Sequence, residues 1–361
     1  MTSVPVPNSS ILNISPYIGG DITPPGFVRR IALASNENPF GVSPNAKEII
    51  KNSIDRVRLY PSGNATDLKK AIATHHSINP DWIMVGNGSE DTLHLLAKTY
   101  ASQGDEIIFA QHAFGLYQIA AHAVGAKAVI APRENFSLSV QSVLQYVTSK
   151  TKLIYLDHPG NPIGTYLSKD ALLTLIKKTP SHVLIVIDAA YAEYLEDLSH
   201  YTSGIDYVPD YPNVVMARTF SKAYALAGLR LGWIYANPEI LDAVNRIRPP
   251  FNTSSIAQKA GIAALQDHKW LQKVKNHNAV RRPWFEKEIT KLGLDMIPCH
   301  ANFSMVNFKE KCADVYQYLG RSGIIVRPMG PYDLPSYLRI TIGQTHEMEE
   351  LVELLKKYYG Q

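Results

Sequence analysis

The chain has 361 residues, 45% hydrophobic and 19% charged, enough to build the cores of one large domain and a smaller one. A formal net charge of +4 without a block of like charge excludes the pattern of a nucleic-acid binder, and two cysteines, Cys299 and Cys312, exclude a disulfide framework. No apolar run approaches the roughly 20 residues of a membrane span, and "MTSVPVPNSSILNISPYIGG" lacks a basic patch followed by an apolar run, so a cytoplasmic protein without a signal peptide is expected.

Residues 1–30 are rich in Pro and Gly and read as an arm packed on another surface. From 31 to 250 short apolar runs alternate with amphipathic segments. "DWIMVG", "DEIIFAQ", "AKAVIAP", "TKLIYLD", "SHVLIVID", "NVVMAR" and "LRLGWIYA" are rich in Ile, Val and Leu on both faces, as buried sheet strands are. Between them lie helical patterns such as "SEDTLHLLAKTYA", where Leu93, Leu96, Ala97 and Tyr100 share one face. The alternation predicts an α/β fold, a mostly parallel sheet between helices. After "RPPFNTSS" the pattern changes. "SIAQKAGIAALQDHKWLQKVKNH" reads as one long helix, "ANFSMVNF", "GIIVRPM" and "SYLRITIG" as strands, and "HEMEELVELLKKYYG" as a closing helix. Residues 251–361 therefore read as a smaller α+β domain.

In sheets of this kind ligands sit beyond the carboxyl ends of the strands. After "DWIMV" comes "GNGSED": Gly86 and Gly88 allow close approach of the backbone, Ser89 is placed to cap the next helix, and the helix N-terminus suits a phosphate. Alone, this is also an ordinary capped turn. "TKLIYLD" runs into "HPGNPIGT", which presents Asn161, although an asparagine in a turn is usually structural. "SHVLIVID" ends on Asp188, an acid that is costly to bury unpaired, with Tyr191 three residues on; a helix N-cap is the competing reading. "NVVMARTFSKAY" delivers Lys222 among small and apolar residues. Burial there lowers an amine's pKa from about 10.4 and suits a Schiff-base nucleophile, whereas a lysine reaching to solvent is the ordinary alternative. Together these signals supply a phosphate cradle, an acid, a phenol, an amide and a reactive lysine at one sheet edge, the set pyridoxal phosphate needs. The 12 histidines show no metal-ligand spacing, and no metal is expected.

The segment "RTFSKAYALAGLRLG" resembles the lysine signature of fold-type I pyridoxal-phosphate enzymes. The ordered set "LASNENPFG", "YP", "GNGSED", "HPGNPIGT", "DAAYAEY", "RTFSKAYALAGLRLG", "IIVRPM" and "YLRITIG" is similar to the histidinol-phosphate aminotransferase subgroup, from Leu33 to Gly343. The resemblance implies a large cofactor domain, a small C-terminal domain and a homodimer using pyridoxal 5′-phosphate. It implies that Lys222 bonds the cofactor and shuttles a proton, that Asp188 pairs with the ring nitrogen, and that Asn161 and Tyr191 hydrogen-bond the ring oxygen. It gives the cofactor phosphate to Gly88, Ser89, the Glu90 backbone, Ser221 and Arg230, and the stacking position to Phe114. Tyr60 would reach the partner subunit's cofactor. Arg339 would clamp a carboxylate, Arg327 and Tyr17 would face a substrate phosphate, and Asn38 would lie on the substrate side. Arg218 has no firm role.

Departures from the family pattern are Ala189 for an acid, His158, Gly160 and Ile163 in the Asn161 loop, and Phe114 where a tyrosine is usual. The activity implied is amino transfer between L-histidinol phosphate and 2-oxoglutarate. Alternatives are an aromatic or arogenate aminotransferase, a decarboxylase of a phosphorylated amino acid, and a cofactor-sensing regulator; the short N-terminal arm argues against the last.

Overall fold

The computed structural model describes residues 5–12, 14–16, 30–195 and 198–360. Most of the expected arm, Tyr17 included, lies outside them. Thirteen strands are described: β1 Ile31–Ala32, β2 Ile83–Gly86, β3 Glu106–Ala110, β4 Lys127–Ala131, β5 Thr151–Asp157, β6 Leu184–Asp188, β7 Val214–Thr219, β8 Gly232–Tyr235, β9 Asp295–Ile297, β10 Phe303–Asn307, β11 Ile324–Ile325, β12 Arg327–Pro328 and β13 Tyr337–Thr341.

Seven of them form one sheet in the order β2-β8-β7-β6-β5-β3-β4, in which β8 alone runs antiparallel to its neighbours. The Val/Ile runs make this sheet because each strand must feed both faces. Ile154, Ile185, Ile187, Val214 and Met216 enter one core; Leu153, Tyr155, Leu184, Val186, Val215 and Ala217 enter the other. The smaller unit is an antiparallel sheet, β12-β13-β10-β9, whose core is shared with helices His268–Lys291, Cys312–Arg321 and Thr345–Tyr359.

Two local readings change. The single long helix expected after residue 254 is two helices, Ser255–Gln266 and His268–Lys291. Asp267 leaves helical geometry (φ −87°, ψ 63°) and its carboxylate accepts the Trp270 N–H at 3.3 Å, since aspartate caps a helix better than it continues one. "GIIVRPM" is two strands in two sheets: β11 pairs in parallel with β1, and β12 pairs with β13.

The packing also departs from a boundary at 250/251. Ala257, Ala260, Ala263 and Ala264 of helix Ser255–Gln266 join the large core, while Ile31 and Leu33 join the small one. We propose that the units divide near Asp267, with residues 31–33 returned to the smaller. No helix among the described residues is long and apolar enough to cross a membrane.

Candidate active site

A cleft of about 250 Å³ opens beyond the carboxyl ends of β5, β6 and β7, with segment 34–37 and strands β12 and β13 closing its far side. It gathers Ser89, Glu90, Phe114, Asn161, Asp188, Tyr191, Ser221, Lys222, Arg230, Arg327 and Arg339. These residues span 250 positions of sequence, and the strand ends and the smaller unit converge them.

Lys222 is half-buried, and its Nζ donates to the Ser35 carbonyl at 3.0 Å. Burial, followed by the Arg339 charge, lowers its pKa to about 8, against opposition from Glu37 and Glu90. Asp188 is 7% exposed. Its Oδ2 accepts the Tyr117 hydroxyl at 2.9 Å, and its Oδ1 is buried without a hydrogen-bond partner. Burial raises this carboxyl to about 7; the Tyr117 hydrogen bond opposes the shift and neighbouring Asp157 adds to it. The Tyr191 hydroxyl accepts the Asn36 amide at 2.9 Å.

The phosphate end is built from glycines and a helix terminus. Gly88 (φ +83°) caps helix Ser89–Tyr100, and a Cβ there would meet Arg230 Nη2 at 2.5 Å. A Cβ on Gly232 would meet the Ser89 nitrogen at 2.2 Å. Close packing against backbone thus demands Gly232, and the positive φ demands Gly88. Ser89, expected as the cap, is the first helical residue instead, because the chain turns at Gly88 in a conformation few other residues adopt. Arg230 Nη1 reaches Ser221 Oγ at 3.4 Å. Its Nη2 meets the Glu90 carboxylate at 3.1 Å, so the Glu90 side chain as well as its backbone belongs to this corner.

On the far side Arg327 and Arg339 are direct cross-strand partners, both buried. Arg339 Nη1 donates to Asn161 Oδ1 at 2.5 Å and Nη2 to the Ala34 carbonyl at 2.7 Å.

Asn38, Tyr60 and Arg218 lie outside this cleft. The Asn38 amide donates to the Ala223 carbonyl at 2.8 Å and its oxygen accepts the Phe40 N–H at 2.9 Å, so the side chain braces the Lys222 turn from behind. Asn36 and Glu37 stand at the cleft in its place. Tyr60 is 83% exposed and stacks on Phe251, away from its own chain's cleft. Arg218 lies behind the cleft, in a buried ion pair with Glu193 at 2.6 Å.

Sequence reasoning missed Tyr117 and Asp157, which also line the cleft. Tyr117 had a signal, being one helical turn after Phe114 in "FGLY". Its ring stacks in parallel on Tyr155 at 4.8 Å, and the Tyr155 hydroxyl is anchored on the Leu93 carbonyl. Asp157 closes β5 as Asp188 closes β6, and the two are register partners. Among the described residues no group of three or more His, Cys, Asp or Glu is arranged to hold a metal ion.

Residues 29–355 match the family described as aminotransferase class I and II. The chain belongs to that family. It is 43% identical to a histidinol-phosphate aminotransferase of Rhodospirillum centenum, over 98% of each chain. It is 38% identical to histidinol-phosphate aminotransferase 2 of Haemophilus influenzae, over 99% of each. Its fold matches the crystal structure of a histidinol-phosphate aminotransferase from Sinorhizobium meliloti in complex with pyridoxal-5′-phosphate, with a TM-score of 0.90, 26% identity and 99% of both chains covered. An L-threonine-O-3-phosphate decarboxylase from Porphyromonas gingivalis shares the fold at a TM-score of 0.80 and 20% identity, covering 92% of this chain and all of that one.

Pyridoxal 5′-phosphate is the cofactor of this family, and the cleft fits it. The orphaned Asp188 Oδ1 is a buried acceptor suited to a protonated ring nitrogen. The Gly88–Ser89 corner offers helix N–H groups beside Arg230 for a phosphate, and Lys222 supplies an amine of lowered pKa.

Proposed function

We propose that this chain is a transaminase that exchanges an amino group between L-histidinol phosphate and 2-oxoglutarate, yielding imidazole acetol phosphate and glutamate in histidine biosynthesis. The observation that carries the substrate assignment is the Arg327–Arg339 pair. The two are cross-strand partners on β12 and β13, both line the cleft, and they place two cations where anionic substrate groups would bind. Arg339 serves the carboxylate of 2-oxoglutarate and glutamate; Arg327 serves the phosphate of histidinol phosphate, which has no α-carboxylate. Tyr17, outside the described residues, is assigned to the same phosphate.

Bound pyridoxal phosphate supplies an electron sink for the bonds at the substrate's α-carbon. Asp188 holds the proton on the ring nitrogen. Lys222 would bond the cofactor and move a proton at the substrate's α-carbon, and a pKa near 8 leaves a useful neutral fraction for that task. Asn161 and Tyr191 direct hydrogen bonds to the ring oxygen, and Phe114 covers the ring face. Gly88, Ser89, the Glu90 N–H, Ser221 and Arg230 hold the phosphate.

The working unit is a homodimer in which Tyr60 completes the neighbour's site. Its exposure beside exposed Ile54, Val57, Leu59 and Phe251 supports that reading, since such an apolar group favours burial against a partner. Mixing Tyr60→Phe with Lys222→Ala subunits then regenerates one intact site per mixed dimer. Activity is recovered on mixing; heterodimers that stay inactive would return Tyr60 to its own subunit.

The test of the function is a single-turnover panel. The holoenzyme is mixed in turn with histidinol phosphate, phenylalanine and phosphothreonine, and conversion of the cofactor to its amine form is read by absorbance. Histidinol phosphate gives the highest rate constant per concentration. A faster phenylalanine reaction would make the enzyme an aromatic aminotransferase, and carbon dioxide release would make it a decarboxylase.

A further inference from the structure

A chain of polar contacts leads into Arg339 from residues that the transamination chemistry does not use. Arg133 follows β4, and Asp157 ends β5; their side chains are 3% and 4% exposed, with Nη2 and Oδ1 3.0 Å apart. Arg133 is fixed on two further sides, by Nε to the Gln111 carbonyl at 2.9 Å and Nη1 to Thr165 Oγ1 at 3.4 Å. The other oxygen of Asp157 accepts the backbone N–H of Asn161 at 3.0 Å. Asn161 Oδ1 then receives Arg339, whose remaining arm rests on Ala34. Gly160 makes room for this arrangement, since a Cβ there would already press on Asp157 Oδ2 at 3.3 Å and Arg133 Nη2 at 3.4 Å.

We propose that Arg133 is a positioning residue for the substrate carboxylate, acting through Asp157 and Asn161 to fix the orientation of Arg339. The inference rests on the reading that Arg339 receives that carboxylate. Arg339 has a long, flexible side chain, and its bidentate geometry is useful only when the guanidinium plane is held. Asn161 holds one edge of that plane. Asn161 lies in a loop, so its own orientation depends on what ties its backbone. The tie is a buried carboxylate. Burial raises the Asp157 carboxyl above its ordinary value, and Arg133, with the Asn161 N–H, pulls it back toward the ionised acceptor. Without Arg133 the acid is left buried and uncompensated, and it regains a partner by protonation or by moving toward water. Either response loosens Asn161, and with it an anchor of Arg339.

The experiment measures binding of glutarate, an unreactive dicarboxylate, to the holoenzyme by titration of the cofactor absorbance. Parallel measurements follow the 2-oxoglutarate and histidinol phosphate half-reactions. Arg133→Met is expected to weaken glutarate about 10- to 100-fold, the scale on which a misplacement of about 1 Å is felt. It should raise the KM for 2-oxoglutarate similarly, while histidinol phosphate, which does not use Arg339 and feels the change only through the Asn161 contact with the ring oxygen, loses clearly less. Arg133→Lys keeps a cation beside Asp157 but lacks the planar fork that reaches Gln111 and Thr165, and should lie between wild type and Met. It decides the matter if the Met variant does not fold. Unchanged glutarate affinity in the Lys and Met variants, with Arg339→Gln weakening it, would overturn the proposal and leave the role of Arg339 standing. Equal damage to both half-reactions would also overturn it, by showing a general structural role. An Arg339→Gln enzyme that binds glutarate like wild type would remove the premise and the proposal together.

Discussion

Buried charge is handled in opposite ways on the two sides of the segment that follows β6. On the far side Glu193 and Arg218 meet at 2.6 Å, with side chains only 6% and 9% exposed, and each satisfies the other. Burial opposes the charge on Arg218, yet Glu193 outweighs it and the guanidinium is held protonated more firmly than usual. On the cleft side Asp188, a few residues earlier, keeps one oxygen without a partner and is driven up to about 7, while Lys222, four residues after Arg218, is driven down to about 8. The same two strand ends therefore carry an internally paired set and an incompletely paired set. A protein tolerates the second only where a ligand completes it. The contrast separates scaffold from chemistry without reference to any relative, and it can be broken by mutation.

The largest effect belongs to Lys222. Lys222→Ala should lower steady-state transamination by about 10⁴- to 10⁶-fold, the scale seen when a covalent residue is removed, and should abolish the borohydride-reducible bond to the cofactor. A reduced adduct mapped to another lysine would refute the assignment. The paired side behaves differently. Arg218→Met leaves Glu193 buried and alone and should cost about 3–5 kcal/mol of stability in urea titrations. Arg218→Met with Glu193→Leu should recover most of that loss. A single variant of native stability that fails only in cofactor binding would move Arg218 to the functional side.

Arg327→Gln should lower kcat/KM for histidinol phosphate by roughly 2–5 kcal/mol in barrier terms, on the order of 30- to several-thousand-fold. The 2-oxoglutarate half-reaction should suffer much less. Equal losses in both would make Arg327 a scaffold residue.

The smallest effect has the less familiar sign. With a folded pKa near 7 and an unfolded value near 3.9, Asp188 binds more protons in the folded apoprotein than in the unfolded chain between those limits. Its contribution to stability is therefore lost as pH rises from about 4 to 7. Asp188→Asn should stabilise the apoprotein progressively over that window, by roughly 1–4 kcal/mol at its plateau above pH 7, while crippling turnover. A stability difference that is flat from pH 4 to 8 would show that Asp188 is not buried uncompensated.

The sheet was legible because β5, β6 and β7 are buried on both faces and so spell continuous Val/Ile runs. The cleft was legible where chemistry needs unusual residues at strand ends, as at Asp188 and Lys222. What escaped depends on distance in sequence or on single caps. The β1–β11 pairing joins two-residue strands that carry no pattern of their own. The break at Asp267 interrupts a polar stretch where helical periodicity is weak. Asn36 and Asn38 are two positions apart in "LASNENPFG", and composition does not say which faces the cleft; the carbonyl of Ala223 takes Asn38. Asp157 was hidden by its partner, since Arg133 stands 24 positions earlier.

The pairing of β1 with β11 also sets an order of events in the making of the protein. Ile31 and Ala32 leave the ribosome well before the strand they join, Ile324–Ile325. The large sheet, complete once β8 at Gly232–Tyr235 is available, has no such wait. Contacts this distant in sequence close slowly because a long loop must be fixed before any stabilisation returns. Segment 34–37 directly follows β1 and forms one wall of the cleft. Assembly of that wall therefore waits for residues 324–325, and a nascent chain can carry a folded sheet before it has a finished catalytic pocket.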